Sequence, residues 1–249
     1  MPRVLLAGES WISQATHFKG FDSFTSVTFH SGADEFITAA KREGIDVKQM
    51  YAHDVPSKFP RTVEAMNAYD VIILSDIGSN SFLLPPETWL EGKPAENSLA
   101  NLCEWVKAGG GLMMAGGYLS FQGFQARANF ARSPLAEVLP VSMADCDDRV
   151  EAPQGAPPRL LLPSHEVGQA WAGDAPHLLG YNKVEAKNAA EVVATVGDDV
   201  LIATMTVGHG RSLVWTSDIG PHWCPEEFVR WPGFAPLVAA MLRWLAAGK

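Results

Sequence analysis

The chain has 249 residues and a mass of 26.9 kDa, enough for one large domain or two small ones. Its 47% hydrophobic and 19% charged composition excludes a disordered chain. A net charge of −9 disfavours nucleic acid and anionic membranes as partners, because both repel an acidic surface. No window approaches 18 uncharged apolar residues, so no transmembrane helix is expected. Cys103, Cys146 and Cys224 are too few and too scattered for a disulfide framework or a paired-cysteine metal site, which points to a reduced, cytoplasmic chain.

Arg3–Ala7 is a short apolar run stopped by Gly8-Glu9-Ser10, and it reads as a buried first strand, not as a signal peptide. Ser10–Ser31, with Trp11, Phe18, Phe21, Phe24 and Phe29, is expected to be a long irregular loop. Ala33–Glu43 has helical spacing with Gly44 as its stop, and Asp46–Met50 follows as a strand. Val63–Asn67 reads as a short helix. Asp70–Ser75 is a continuous β-branched run of the kind that lies in a parallel sheet under helices. Asp76–Gly92 is expected to be a loop, Asn97–Ala108 a helix and Leu112–Ala115 a strand closed by Gly116-Gly117. This alternation predicts a doubly wound, mainly parallel α/β sheet. In the second half, Arg159–Leu162, Tyr181–Ala186, Glu191–Val196, Leu201–Val207 and Ser212–Thr216 read as strands of antiparallel hairpins extending that sheet. Gly233–Ala247 is a closing apolar helix. No linker or repeat interrupts the chain, so residues 1–249 are expected to form one domain.

In open parallel sheets, ligands bind at the carboxyl ends of the strands. That rule selects Glu9, Ser10 and Trp11 after the first strand and Asp76 after the Asp70–Ser75 run. It also selects Gly116, Gly117 and Tyr118, then Ser217, Asp218 and His222 after the last strand. Paired glycines permit close backbone approach, and this is where hydrolase-like folds place a nucleophile elbow. Gly116-Gly117 is therefore either a tightly packed turn or a source of exposed N–H groups for an anion. Asp218 with His222 could perform acid–base chemistry, since imidazole titrates near neutrality; the alternative is a capped turn beside a packed histidine. Cys103 and Cys224 read as buried apolar residues. Cys146 lies among Asp145, Asp147 and Asp148 in what reads as a solvated loop, without the turn glycine and distal Glu of a calcium loop. GxGxxG, GxxxxGK[ST] and HExxH are all absent, and neither metal nor cofactor is expected.

Gly109-Gly110-Gly111-Leu112-Met113-Met114-Ala115-Gly116-Gly117-Tyr118-Leu119-Ser120-Phe121 resembles the corresponding segment of the class I glutamine amidotransferase-like superfamily, in its branch called putative glutamine amidotransferases. Val214-Trp215-Thr216-Ser217-Asp218-Ile219-Gly220-Pro221-His222-Trp223 is similar to a second motif of that branch. So is the opening Gly8-Glu9-Ser10-Trp11, with His17 and Lys19-Gly20-Phe21-Asp22-Ser23-Phe24. The resemblance spans nearly the whole chain and implies a flavodoxin-like fold. Glutaminases of the superfamily carry an elbow Cys, with a His and a Glu near the last strand. Here Gly116 and Gly117 stand at the elbow, Cys103 is too far upstream to replace the nucleophile, and Ser217, Asp218 and His222 occupy the last-strand region.

The expectation is a protein that binds a small polar metabolite at the strand ends and has no ordinary glutaminase activity. One alternative is a hydrolase or isomerase of a sugar-like or amide substrate, using His222 with Asp218 or Glu9. Another is an assembly role, with the aromatic Ser10–Ser31 and Trp223–Trp244 segments forming a homo-oligomer interface.

Overall fold

A computed structural model describes residues 1–248. The first half runs β1 (Val4–Gly8), β2 (Ser10–Lys19), β3 (Asp22–Ser31), α1 (Asp34–Arg42), β4 (Val47–Met50), α2 (Val55–Lys58), α3 (Val63–Met66), β5 (Val71–Ser75), α4 (Asn80–Leu83), α5 (Pro86–Trp89), α6 (Ser98–Lys107) and β6 (Gly111–Ala115). The second half adds β7 (Val141–Ser142), β8 (Arg149–Ala156), β9 (Pro158–Leu160), β10 (Leu178–Asn182), β11 (Glu185–Ala186), β12 (Glu191–Val196), β13 (Asp199–Val207), β14 (Gly210–Trp215), α7 (Glu226–Val229) and α8 (Phe234–Ala246).

An eight-stranded sheet has the order β4-β1-β5-β6-β14-β13-β12-β9. The first five strands are parallel and the last three are added antiparallel. Numbered by their own sequence order, the parallel strands run 2-1-3-4-5, the flavodoxin-like winding, whose switch point lies between β1 and β5. Successive side chains of each strand enter opposite layers. Val4, Leu6, Val71, Ile73, Leu213 and Trp215 pack with Phe36 of α1 and Leu237 and Val238 of α8. Leu5, Ala7, Ile72, Leu74 and Val214 pack with Leu99, Leu102 and Trp105 of α6. That double burial is why the strands are continuously apolar.

The helices carry their own start and stop signals. The Asn97 side chain accepts the Ala100 N–H at the start of α6. Asp34 and Glu35 open α1, and Lys41 and Arg42 close it, matching the helix dipole.

Four expectations are corrected. Asp76–Gly92 is not a plain loop, since α4 and α5 lie within it. Tyr181–Ala186 is not one strand of the main sheet: β10 pairs with β8 and β11 with β7 in two separate small sheets, because the chain turns at residues 183–184 between them. Ser10–Ser31 is not an irregular loop: β2 and β3 pair along their full length as a two-stranded antiparallel ribbon, turned at Gly20 with a positive φ of 69°. Its alternation is illegible because neither face is buried in this chain, so neither face is uniformly apolar. The loop holding Asp145, Asp147 and Asp148 is not simply solvated. Asp148 is buried and accepts N–H bonds from Gln122 and Gly123 and a side-chain bond from Asn182.

Phe36→Ala should cost about 3–5 kcal/mol, the range for deleting a buried aromatic side chain, because Phe36 is 1% exposed between α1 and the sheet. Urea unfolding of the two proteins measures this.

Candidate functional site

The chain leaves β1 and β5 in the same unusual way. Glu9 and Asp76, the residues following each strand, both adopt a left-handed backbone (φ 49° and 43°). Non-glycine residues rarely do so without a functional or packing reason. This conformation turns both carboxyl groups toward the switch point, where Asp218, just past β14, joins them.

Glu9 is 2% and Asp218 4% exposed. The Ser75 hydroxyl donates to Glu9 Oε2 at 2.6 Å, and the protonated Glu9 carboxyl donates to the Asp218 carboxylate. Asp218 also accepts the Ile219 N–H at 2.8 Å, while the Trp215 indole N–H donates to the Asp218 carbonyl at 2.8 Å. Burial holds the Glu9 carboxyl well above the ordinary carboxylate range, and the charges of Asp218 and Asp76 add to this. Asp218 is pushed up to about 7, first by burial and then by the charge of Asp76. Asp76 is raised by burial and held back by the N–H groups of Leu119 and Tyr118 and by His222. The Leu119 N–H bond to Asp76 Oδ1 is 2.6 Å. Carboxyl groups this close cannot all ionise, so the cluster keeps a proton near neutrality.

The elbow after β6 fits tightly around this cluster. A Cβ on Gly116 would overlap the carbonyl oxygen of Thr216. One on Gly117, whose φ is 145°, would lie 2.8 Å from Asp76 Oδ1. Backbone donors here already have partners. The Gly116 N–H serves the carbonyls of Trp215 and Ser217, and the Gly117 N–H serves Asn182 Oδ1 at 3.0 Å.

An aromatic wall stands outside the carboxyl groups. The ring of Tyr118 lies 5.4 Å from His222 and 5.6 Å from Trp223, between ring centroids. Arg149 sits over Tyr118 at 4.5 Å and over Phe124 at 4.6 Å. Glu151 accepts from both the Tyr118 hydroxyl and the Trp223 indole. His222 is exposed, and its Nδ1 lies 4.0 Å from Asp218 Oδ2. Beside this wall an open groove of about 440 Å³ runs between Gly78, Asn80 and Ser81 on one side and Tyr118, Phe124 and Arg127 on the other. Among the described residues, no three His, Cys, Asp or Glu side chains are arranged to hold a metal ion.

A family model described as "Putative glutamine amidotransferase" matches residues 3–247. The chain belongs to that family. Within the family, the chain is similar to the cytoplasmic protein STM3548 from Salmonella typhimurium, at 42% identity over 98% of each chain and a TM-score of 0.93. The cytoplasmic protein STM1381 from Salmonella typhimurium LT2 is also 42% identical, over 98% of this chain and 99% of that one, with a TM-score of 0.92. A putative ThuA-like protein from Bacteroides uniformis shares the fold at 12% identity, with a TM-score of 0.58 over 98% of this chain and 90% of its own. No curated protein matches the sequence.

In this family member, Glu9, Asp76, Asp218, Gly117, Tyr118 and His222 converge at the ends of β1, β5, β6 and β14. Three other strand-end residues turn elsewhere. Trp11 stacks on His30 within the ribbon, the Ser10 hydroxyl accepts the Ala52 N–H, and the buried Ser217 hydroxyl donates to the Gly180 carbonyl. The site also draws on residues that sequence reasoning passed over, chiefly Ser75, Asn182, Arg149 and Glu151. Asn182 carried one faint signal, an amide closing the apolar Leu178–Asn182 strand. Its contact with Gly117 spans 65 positions and exists only because β10 folds back on β8.

The Asp218 proton links this site to stability. Between the ordinary Asp value of 3.8 and about 7, the folded chain retains a proton that the unfolded chain releases. Stability contributed by that proton is complete below this window and is lost as the pH rises through it. Thermal midpoints should therefore decline from pH 4 to pH 8. Asp218→Asn should flatten the decline and raise the midpoint at pH 8, by about 2–4 °C for each kcal/mol of relieved repulsion. Parallel pH profiles for the two proteins would contradict this assignment.

Proposed function

We propose that this chain binds a small polar ligand at the strand carboxyl ends and lacks ordinary glutaminase activity. The reading rests on one observation: the Asp76 carboxylate fills the space in which a nucleophile on residue 117 would stand. The covalent route of the superfamily's glutaminases attacks the glutamine amide with a cysteine thiolate. Cys103 is buried in α6 with its thiol pushed up to about 12 by burial, and Cys224 is wholly buried with its thiol raised for the same reason. Cys146 is exposed, in the loop before β8.

Carboxyl groups occupy the position at which a thiolate would act. The Glu9–Asp218 pair stores a proton behind Asp76, and Tyr118, which packs against His222, is the residue that links this cluster to the groove. A neutral, hydroxyl-bearing or amide-bearing ligand suits this arrangement, because three clustered carboxyl groups repel an anion and the nearby N–H donors are taken. The aromatic faces of Tyr118 and His222 supply apolar contact beside those polar groups, the usual make-up of a small-molecule pocket. A hydrolase or isomerase using His222 with Asp218 is the second reading, favoured by their 4.0 Å approach. Residence in the cytoplasm is part of the proposal. It is supported by the description of the two 42% identical relatives and by the lack, among the described residues, of a helix able to cross a membrane.

Incubation with glutamine should release no ammonia above background, and Gly117→Cys should not create the activity because its side chain collides with Asp76. Ammonia release by the unmodified chain would refute the proposal. In a thermal-shift screen of neutral sugars, polyols and amides, a ligand at 100 times its dissociation constant should stabilise the native state by about 2.7 kcal/mol. Asp76→Ala and His222→Ala should abolish that shift.

A further inference from the structure

The β2–β3 ribbon takes no part in the proposed ligand site, and within the chain almost nothing covers it. Ten residues per strand at about 3.4 Å each make an arm of about 30 Å. Every residue of β2 after Ser10 is exposed, as is most of β3. Only the root is packed, where Phe29 meets Tyr51 at 4.8 Å between ring centroids. A two-stranded ribbon alone in water is marginal at best. This one is nonetheless fully paired, with His17 stacked on Phe24 and bonded to Ser26.

Residues opposed across the ribbon share a face. Trp11 and Phe24 lie on one face, Ile12, Phe18, Val27 and Phe29 on the other, and Phe21 stands at the tip. Their exposures run from 43% for Trp11 to 110% for Phe21. With roughly 200 Å² available from each of these seven large apolar side chains, the arm offers on the order of 900 Å² of apolar surface, spread over its two faces and its tip. Covered on both faces, it would match the roughly 800 Å² that each partner contributes to a stable interface.

From this we infer that the ribbon is an arm that docks on a second copy of this chain. Charge favours that occupant. Lys19 and Asp22 are the arm's only formally charged residues and they cancel, so it can lie against a body of net charge −9 without repulsion. A single lysine gives it no hold on nucleic acid or on anionic lipid. A twofold pair also covers both arms at once, since each copy gives one and receives one. The body of the chain offers apolar surface of its own: Trp89 and Leu90, at the end of α5, are 71% and 75% exposed.

The test is the mass of the full-length chain by light scattering after size exclusion, from micromolar to submillimolar concentration. The unmodified chain should run at twice 26.9 kDa or a higher multiple. The triple variant Phe18→Ser, Phe24→Ser, Val27→Ser should run as a monomer with an unchanged far-ultraviolet spectrum. A second variant, replacing residues 11–30 with two glycines between the paired Ser10 and Ser31, should also run as a monomer and keep a cooperative thermal transition, and it decides the matter if the first fails to fold. A monomeric unmodified chain, with the arm then serving some other partner, would overturn the inference. So would a multimer that survives both changes.

Discussion

Two buried carboxyl groups and a third, half-buried one within reach of them impose the constraint on which the rest of this structure turns. Glu9, Asp76 and Asp218 come from three separate strand ends. Ionising all of them together in a low-dielectric crevice would cost more than a domain of this size can sustain. The fold meets that demand in two ways. Burial raises both Glu9 and Asp218 so that Glu9 holds its proton and donates it in a hydrogen bond to Asp218, and the charge of Asp76 is met by the N–H groups of Leu119 and Tyr118. The two glycines after β6 follow from the same constraint. Only residues without a Cβ let the elbow come close enough to supply those N–H groups while leaving room for the Asp76 carboxylate.

Glu9 belongs to two parts of the molecule at once. Its carboxyl group anchors the cluster, and its carbonyl accepts the Gly32 N–H that closes the base of the ribbon. A side chain on Gly32 would strike the Glu9 carboxyl, so the return of the ribbon also fixes that group in place. Gln49 ties the same base together, donating to the carbonyls of Gly8 and Glu9 and to the Ser31 hydroxyl. Whatever covers the arm therefore bears on a segment one residue away from the hydrogen-bonded pair.

Most of the parallel half was legible from residue pattern, because strands buried on both faces write a continuous apolar run and helices between them carry capping residues and terminal glycines. Asp70–Ser75 and Asn97–Ala108 are such cases, found within a residue or two of β5 and α6. The ribbon was not legible, since period-two alternation appears only when one face of a strand is buried and the other is wet. Asp148 was misread for a related reason. Three neighbouring aspartates look solvated in sequence, but one of them caps the backbone at Gln122 and Gly123 from more than twenty residues away.

By itself the sequence determined the α/β class, the parallel winding, the family and the four strand ends at which polar residues gather, because each depends on local pattern or on motifs read directly. Only the tertiary structure decided what those ends do to one another. The carboxylate lodged against Gly117 and the Asn182 bond to the elbow are contacts between residues far apart in the chain. Their energies depend on burial and on distances of a few ångströms. Neither quantity exists until the strands have been laid side by side.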